Sequence, residues 1–501
     1  GLDDPKVYQL LQKGYTQNIF QFSSKGMTKF LVSMQPDKIE DLIAANALFR
    51  PATLDSGSTD KYVDCKLGDA DPVYLWGTYN AMKNTYGVLC YQEQLAQIAR
   101  EVGKFSLGEG VKLVKLISKK KVDKILALRD KFMAGANENG CPKEDAEAIW
   151  HMFEVAGGYL FNKSHATAYA VTAYAGAYLK ANYPTAFYTI ALQWAKDDEI
   201  PTLMSEMELC SEAKIVPPDI NVSGGTFITD YETNEIFWSL SRIKMLGAKA
   251  TEWIINERNV RGEFSSIENF IERIFRYKLK LYKYWDDPDN PNEATKCPVN
   301  ARHVRHLILS GCFDKVENAQ SVIERYAILE KAAKCLGFEI SEKDIPEDLR
   351  NKHYFWSQQQ IAISGIGAID YKRIYDNSEA KPKIKGKASW ALLKNIQDPD
   401  YDGKRVAICA NIVDIEEKKF KDKKTGENRV FCKLLLQQNN DLVEMVIWND
   451  EWMNVRATLC KGGSLSSAKN KMLICSAQVK YSDYTGGNNL QLYKSSIIDI
   501  L

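Results

Sequence analysis

The chain has 501 residues, more than one hydrophobic core usually supports, so roughly two to four domains are expected. Hydrophobic residues make up 45% of the chain and charged residues 26%, as in ordinary globular proteins. The 66 basic and 65 acidic residues nearly cancel, so net charge identifies no partner, and only local clusters of charge are informative.

Eleven cysteines are scattered along the chain without a C-x-x-C pair. This distribution is typical of reduced thiols and argues against a disulfide framework or a zinc site. The sequence has no apolar run of about 18 residues and no recognisable signal peptide, so we predict a cytoplasmic protein without a membrane span. The chain begins with Gly1 rather than Met, so we expect a fragment or a processed product.

Residues 1–212 are predicted to be mostly helical. In residues 91–103 an apolar residue recurs at every third or fourth position, which predicts a helix with one buried face. Residues 121–140 repeat this pattern and end in Asn and Gly, which are typical of a helix stop. A further helix is predicted over 164–182, ending before Pro184.

A dense group of lysines lies between two of these helices. Its members are Lys112, Lys115, Lys119, Lys120, Lys121 and Lys124. Such a density attracts phosphates through Coulomb forces and counterion release. A solvated helix face would have the same composition, so the residues alone leave both interpretations open.

The sequence Asn162-Lys163-Ser164-His165 precedes a run of small residues and tyrosines. Asn162 or Ser164 would make a good helix N-cap. The free backbone N–H groups and the helix dipole would then favour an anion beside Lys163 and His165, with Tyr169 available for stacking. The alternative is a capped core helix with a satisfied histidine. A Ser–His nucleophile is not expected, because adjacent residues on a helix point apart.

Residues 213–335 are predicted to contain two helix-hairpin-helix units. Residues 243–258 place Gly247 just after an apolar pair, and residues 303–314 place Gly311 after Leu309 and Ser310, in both cases between helical segments. A pair of such hairpins presents backbone amides to DNA phosphates without regard to base sequence. The predicted DNA contacts are Lys244, Gly247, Lys249, Ser310 and Gly311.

The C-terminal part is predicted to be a linker with short helices over 336–404, followed by an all-β barrel of the OB type over 405–501. Short β-branched segments separated by Gly and Asn turns indicate the barrel. Basic grooves with aromatic platforms are how OB folds hold single strands. The predicted contacts are Lys418, Lys419, Lys421, Lys423, Lys424 and Trp448. A solvated hairpin tip with core aromatics is the alternative.

No convincing catalytic metal site is predicted. Metal-assisted nucleotidyl transfer needs carboxylates that converge on two cations. Asp69 and Asp71 are close in sequence, but they lie beside Gly and Pro in an expected surface loop. The sequence also lacks a P-loop and a dinucleotide-binding fingerprint.

Several motifs, in this order, resemble the bacterial DNA polymerase III alpha subunit, a family C polymerase. They are NIFQFSSKGM (18–27), DLIAANALFRPATLDSG (41–57), YGVLCYQEQLAQIA (86–99), GGYLFNKSHATAYA (157–170) and IVPPDIN (215–221). The resemblance implies a polymerase fingers domain over 1–212, a tandem helix-hairpin-helix domain over 213–335 and an OB-fold domain over 405–501. It also implies a bacterial cell or a phage-infected bacterium.

The resemblance implies that this chain binds an incoming dNTP and template–primer DNA for attack of a primer 3′-hydroxyl on the α-phosphate. The residues it assigns to the dNTP are Arg50, Gln92, Lys115, Lys119, Lys120, Asn162, Lys163, Ser164, His165 and Tyr169. Two Mg²⁺ ions would be held by palm carboxylates of an N-terminal half that also carries a PHP domain. We therefore expect this chain alone to be inactive. A sliding clamp is a further expected partner, with QQQIAI (358–363) as the candidate peptide.

Some positions depart from the family pattern. Val114 and Lys115 stand where the family has two arginines, and Ser23 stands where it has a glutamate. Lysine cannot make the bidentate phosphate contact of arginine, so triphosphate contacts there would be weaker. This departure favours an alternative function, a non-catalytic DNA-binding accessory protein on a polymerase scaffold. The intact Asn162–His165 motif opposes it.

Overall fold

A computed structural model describes residues 1–118, 122–156, 159–275, 297–367, 371–376, 378, 380–384, 388–421, 426–438, 441–460, 463–469, 471–482, 487–492 and 498–500. The chain divides into two compact units, Gly1–Phe187 and Tyr188–Leu501. The predicted fold class is confirmed, because a mainly helical region is followed by a closed β-barrel. Within the described ranges, no helix is both long and apolar enough to cross a membrane.

The first unit is helical. Its helices are α1 (Pro5–Gln12), α2 (Lys25–Met34), α3 (Ile39–Leu48), α4 (Pro51–Asp55), α5 (Ser58–Leu67), α6 (Tyr79–Met82), α7 (Gln92–Glu101), α8 (Leu107–Ser118), α9 (Val122–Glu138), α10 (Lys143–Ala156) and α11 (Lys163–Asn182). The boundary between the units falls within α12 (Pro184–Trp194). The helices predicted around 91–103, 121–140 and 164–182 are α7, α9 and α11.

Two hydrophobic cores fill the first unit. One contains the buried faces of α1, α2, α3 and α11, and the other contains those of α7, α8, α9 and α10. The predicted apolar face of α7 is confirmed, because Leu95, Ile98 and Ala99 have no exposed surface. Residues on the opposite side of α7 are therefore free to line a site.

A buried carboxylate fixes α3 against α5. Asp41 accepts a hydrogen bond from the Tyr62 hydroxyl at 2.9 Å and pairs with the Lys66 ammonium at 3.0 Å. The side chain of Asp41 is fully buried and that of Lys66 is 4% exposed. Because an isolated buried charge is very costly, each group depends on the other. The aspartate of the DLIAANALFRP motif thus has a structural role.

The second unit begins with α13 (Ile200–Cys210) and a small sheet, and continues through a helical region. Its sheet has the order β1 (Lys214–Val216), β3 (Glu235–Phe237), β2 (Ile228–Asp230). The helices are α14 (Ala248–Arg261), α15 (Ile267–Phe275), α16 (Ala301–Leu309), α17 (Arg325–Leu336), α18 (His353–Ser364), α19 (Tyr371–Asp376) and α20 (Ala380–Ile384). Helices α14 to α18 share one hydrophobic core.

Helix α18 contains the segment expected to bind a clamp. Trp356 and Ile363 of this helix are buried in the shared core, and Gln360 accepts a hydrogen bond from Arg325 at 3.0 Å. The QQQIAI segment (358–363) is therefore helical and partly buried here, and does not form an exposed extended peptide. The first part of the expected linker is built into the helical region.

The barrel is formed by five strands. Its elements are β4 (Ser389–Trp390), β5 (Arg405–Lys421), β6 (Asn428–Gln438), β7 (Asp441–Ile447), α21 (Asn449–Cys460), β8 (Met472–Ser482), β9 (Gly487–Leu492) and β10 (Ile498–Ile500). The order β5–β6–β7–β9–β8 closes through a second pairing of β5 with β8. Strand β5 pairs with β8 before a bulge at 412–414, and with β6 on both sides of that bulge. The bulge lets one long strand bend around and close the barrel.

We expect Asp41→Ala to lower the free energy of unfolding by about 3 kcal/mol or more, because it strips the buried Lys66 ammonium of its buried partner. Asp37→Ala is the matched control. Its carboxylate lies 3.2 Å from the same ammonium but is 63% exposed, so its removal should cost less than about 1 kcal/mol. Urea unfolding of both variants measures the difference, and equal losses would contradict the structural role of Asp41.

Candidate nucleotide- and DNA-binding sites

Asn162 caps helix α11, as one of the two predicted caps. Its Oδ1 accepts hydrogen bonds from the His165 amide at 2.9 Å and from the Ser164 hydroxyl at 2.5 Å. The Lys163 amide donates to the Glu93 carboxylate at 2.9 Å. The prediction that the first amides of α11 are free to bind an anion is therefore wrong for Lys163 and His165, because both amides already have acceptors. An anion at this end of α11 would contact side chains.

A backbone bridge brings the start of α7 beside the start of α11. The Gln92 amide donates to the Phe161 carbonyl at 2.9 Å, and the Phe161 amide donates to the Cys90 carbonyl at 2.9 Å. This pairing places Gln92 and Asn162 in the wall of one open cleft of about 360 Å³. The full lining is Gln92, Glu93, Ala96, Gln97, Arg100, Leu107, Val111, Val114 and Asn162.

Four aromatic rings form a row along one face of α11. Ring centres are 5.5 Å apart for Phe161 and His165, 4.1 Å for His165 and Tyr169, and 5.0 Å for Tyr169 and Phe20. His165 is exposed and Tyr169 half-buried. The ring planes are tilted by 44° to 58° from one ring to the next, and the row offers an aromatic surface against which a base or sugar can pack.

The cationic residues of the predicted nucleotide site have different surroundings. The Lys163 ammonium lies 5.6 Å from the centre of the Tyr91 ring. The Arg50 guanidinium carbon lies 4.5 Å from the Phe161 ring centre, and its Nε donates to the Ala47 carbonyl at 2.9 Å. Burial lowers the pKa of Arg50 from its usual value. Arg50 therefore supports the segment that leads into α11.

The lysines of α8 and beyond are only partly described. Lys115 is exposed and lies one turn beyond Val111, which lines the cleft. Lys119 and Lys120 lie outside the described residues. The structure thus brings Gln92 and Asn162 into one cleft, whereas Lys163 and His165, which follow Asn162 on α11, are not part of its lining.

The sequence analysis did not predict three polar residues of this cleft, nor the Phe20 ring of the aromatic row. Glu93, Gln97 and Arg100 repeat at helical spacing on the side of α7 opposite its apolar face, and that spacing was a usable signal. Gln94 points elsewhere, because its Oε1 accepts from the Cys90 and Tyr91 amides at 2.9 and 2.8 Å. Phe20, which is 46% exposed, gave no pattern in sequence.

The first predicted hairpin forms an open basic site. Helix α14 starts directly after Gly247, which has no side chain to cap it. Lys244, Gly247 and Lys249 are all exposed. A Cβ atom added at Gly247 would meet nothing within 4 Å, so the space beside Gly247 is open. These three predicted residues lie together.

The second predicted hairpin is not on the surface. Ser310 and Gly311 are buried, and the Gly311 amide donates to the Ile308 carbonyl at 3.0 Å. Gly311 has a φ of +93°, and a Cβ atom there would lie 2.6 Å from Nη2 of the buried Arg325. This conformation and this packing explain why residue 311 is a glycine. Because Ser310 and Gly311 are buried, the prediction that they contact DNA is wrong.

The outer face of the β5–β6 hairpin carries an aromatic cluster, defined by Phe420, Phe431 and Trp448. Their ring centres are 5.3 to 5.8 Å apart, and Trp448 is 41% exposed. Lys418 lies directly opposite Phe431 across the two strands, so it shares this face. We call the cluster together with Lys418 the aromatic platform.

The other predicted lysines of the barrel lie apart from this platform. Side chains alternate along a strand, so Lys419 and Lys421 lie on the opposite face from Lys418. Lys423 and Lys424 lie outside the described residues. Trp452 is fully buried and its Nε1 donates to Glu417 at 2.7 Å, so it belongs to the core.

The described part of the chain holds no group of three His, Cys, Asp or Glu side chains arranged for a metal ion. Asp71 is exposed, and the Asp69 amide closes the turn after α5 by donating to the Asp64 carbonyl at 2.8 Å.

Comparison with known proteins agrees with this geometry. Residues 1–140 match the family model of the bacterial DNA polymerase III alpha subunit finger domain, and residues 212–283 match a model of the helix-hairpin-helix motif. The helix-hairpin-helix match supports DNA binding by the region that contains Lys244, Gly247 and Lys249.

Relatives named DNA polymerase III subunit alpha align along the chain. The protein of Aquifex aeolicus is 35% identical over 334 residues, 66% of this chain and 27% of the relative. That of Thermus aquaticus is 36% identical over 285 residues, 54% of this chain and 23% of the relative. That of Escherichia coli K12 is 28% identical over 522 aligned positions, 100% of this chain and 42% of the relative. The chain spans less than half the length of these curated relatives.

The two predicted hairpin glycines should respond differently to substitution. We expect Gly311→Ala to lower the free energy of unfolding by about 2 kcal/mol or more, because of its left-handed backbone and its contact with Arg325. Gly247→Ala, at a φ of −68° and in open space, should change it by less than about 0.5 kcal/mol. Thermal unfolding of both variants measures this, and a similar loss at both positions would contradict the assignment.

Proposed function

We propose that this chain provides the fingers, helix-hairpin-helix and OB parts of a replicative DNA polymerase. It would bind the incoming dNTP and the template–primer for template-directed nucleotidyl transfer. The observation that carries the proposal is the meeting of Gln92 and Asn162 in one open cleft. Gln92 belongs to the segment that matches the polymerase finger domain, and Lys163 follows Asn162 at the start of α11.

The triphosphate would lie against the start of α11 and the lysines of α8. Lys163 and Lys115, with Lys119 and Lys120, would neutralise its charge, and Asn162 and Gln92 would orient it. Ser164, whose hydroxyl donates to Asn162 Oδ1, would fix the Asn162 side chain for that role. Because Glu93 already accepts from the Lys163 amide, the phosphates would contact lysine side chains. The base or sugar would pack on the row that contains His165 and Tyr169. Arg50, which contacts the Tyr159 carbonyl and the Phe161 ring, would hold the segment before α11 in place.

The reaction would be attack of a primer 3′-hydroxyl on the α-phosphate, with pyrophosphate as the leaving group. Two Mg²⁺ ions on palm carboxylates would supply charge stabilisation at the reacting phosphate. We propose that those carboxylates belong to an N-terminal half with palm and PHP domains, either upstream in the same protein or on a separate polypeptide. This chain alone would then bind substrates without joining them.

The template–primer would be held at two places in the second unit. The basic start of α14, with Lys244, Gly247 and Lys249, suits a phosphate of the duplex. The platform of Phe420, Phe431 and Trp448 with Lys418 suits stacked bases of the single-stranded template. A cytoplasmic location fits this role. A sliding clamp remains a proposed partner, although residues 358–363 do not form an exposed peptide that could bind it.

A second candidate is a non-catalytic DNA-binding accessory protein. Val114 and Lys115, where the family has two arginines, favour it, because one cation of the nucleotide site is missing. The assembled cleft with Asn162 and Lys163 favours the polymerase, because a protein that only binds DNA has no evident need for it. Binding of a dNTP distinguishes the two.

We expect Lys163→Ala to weaken binding of a labelled dNTP by about tenfold, in the presence of template–primer and the palm-bearing half, because one charge-assisted phosphate contact is lost. Lys143→Ala is the control, since the Lys143 side chain is 87% exposed on α10 and lines no part of the cleft. Equilibrium titration measures both affinities. Equal dNTP affinities of Lys163→Ala and Lys143→Ala would contradict the nucleotide site. If neither variant bound dNTP, the result would favour the accessory role.

A further inference from the structure

Met245, at the tip of the first hairpin, has an unusual conformation. Its φ is +71°, in the left-handed region that favours glycine, and its side chain is 57% exposed. Such a backbone costs stability for a residue with a side chain, and an exposed methionine contributes little burial in return. Folding alone therefore does not explain this residue at this position.

The hairpin backbone holds Met245 in place from both sides. The Lys244 amide donates to the Ile363 carbonyl at 2.8 Å, and the His306 Nδ1 lies 2.6 Å from the Lys244 carbonyl. On the other side the Gly247 amide donates to the Met245 carbonyl at 3.1 Å. The conformation is thus fixed by its neighbours, and the thioether side chain is presented outward.

The surface around Met245 is basic on both sides. Lys244 precedes it, Lys249 follows in the first turn of α14, and both are exposed. Between them the space in front of Gly247 is open and adjoins the positive end of the α14 dipole. The apolar Met245 side chain, with Lys244 and Lys249 near it, is complementary to a surface on which anionic groups alternate with apolar patches. The backbone of duplex DNA, with phosphates joined by deoxyriboses, has this pattern.

We propose that Met245 packs against a deoxyribose of duplex DNA, next to the phosphate held at the start of α14. The contact rests on the proposed DNA-binding function of this hairpin and adds a binding residue to it. Because every nucleotide presents a deoxyribose, the contact is independent of base sequence. It also gives a reason for a side chain at a position where glycine would fold better.

The test is a substitution with opposite expected effects on folding and binding. Met245→Gly should raise the thermal midpoint, because glycine accepts a positive φ without strain. The same variant should bind a short DNA duplex at least about threefold more weakly, in fluorescence anisotropy at fixed low salt, because the sugar contact is lost. Met453→Gly, at a 64% exposed methionine of α21, is the control and should not change the affinity. Affinity of Met245→Gly equal to or above that of the unmodified chain would overturn the proposal.

A second variant separates this inference from the function on which it rests. Lys249→Ala should weaken duplex binding and reduce its salt dependence, because one phosphate contact is removed. If Lys249→Ala weakens binding and Met245→Gly does not, only the methionine contact is refuted. If neither variant changes the affinity, DNA binding at this hairpin is refuted as well. Weaker binding by both variants, at two unrelated duplex sequences, supports the contact.

Discussion

The proposed nucleotide cleft depends on one short backbone bridge, the pairing of Phe161 with the residues on either side of Tyr91. This bridge joins segments that are far apart in sequence and sets Asn162 beside Gln92. The Arg50 guanidinium packs on the Phe161 ring and so supports the same point. The groups that would hold a triphosphate acquire their geometry here, because side chains on separate helices can act together only when backbone contacts fix those helices.

The starts of helices α11 and α14 differ in what they offer an anion. At α11 the Asn162 side chain and the Glu93 carboxylate already satisfy the first amides, so that end is preorganised for side-chain contacts. At α14 the preceding residue is Gly247, with open space before it. Both helices have a dipole with its positive end at the start of the helix. The neighbouring side chains determine whether a ligand can reach the backbone amides there.

Patterns with a short period predicted most of the fold. The apolar spacing of α7 and the alternating strands of the barrel follow directly from burial of one face, and the Asn162 cap follows from local hydrogen bonding. Contacts between distant segments carry no such pattern. The burial of Gly311 against Arg325 could not be predicted, because it depends on how α16 meets α17. The separation of Lys418 from Lys419, in contrast, was predictable from strand alternation.

The central claim is that this chain holds the substrates of a polymerase and that catalytic carboxylates come from a palm outside it. Primer extension with Mg²⁺ tests it most directly, with the purified chain alone and after mixing with a palm-bearing N-terminal half. We expect no nucleotide incorporation by the chain alone and template-directed incorporation by the mixture. Mg²⁺-dependent extension by the chain alone, or none by a mixture shown to associate, would contradict it.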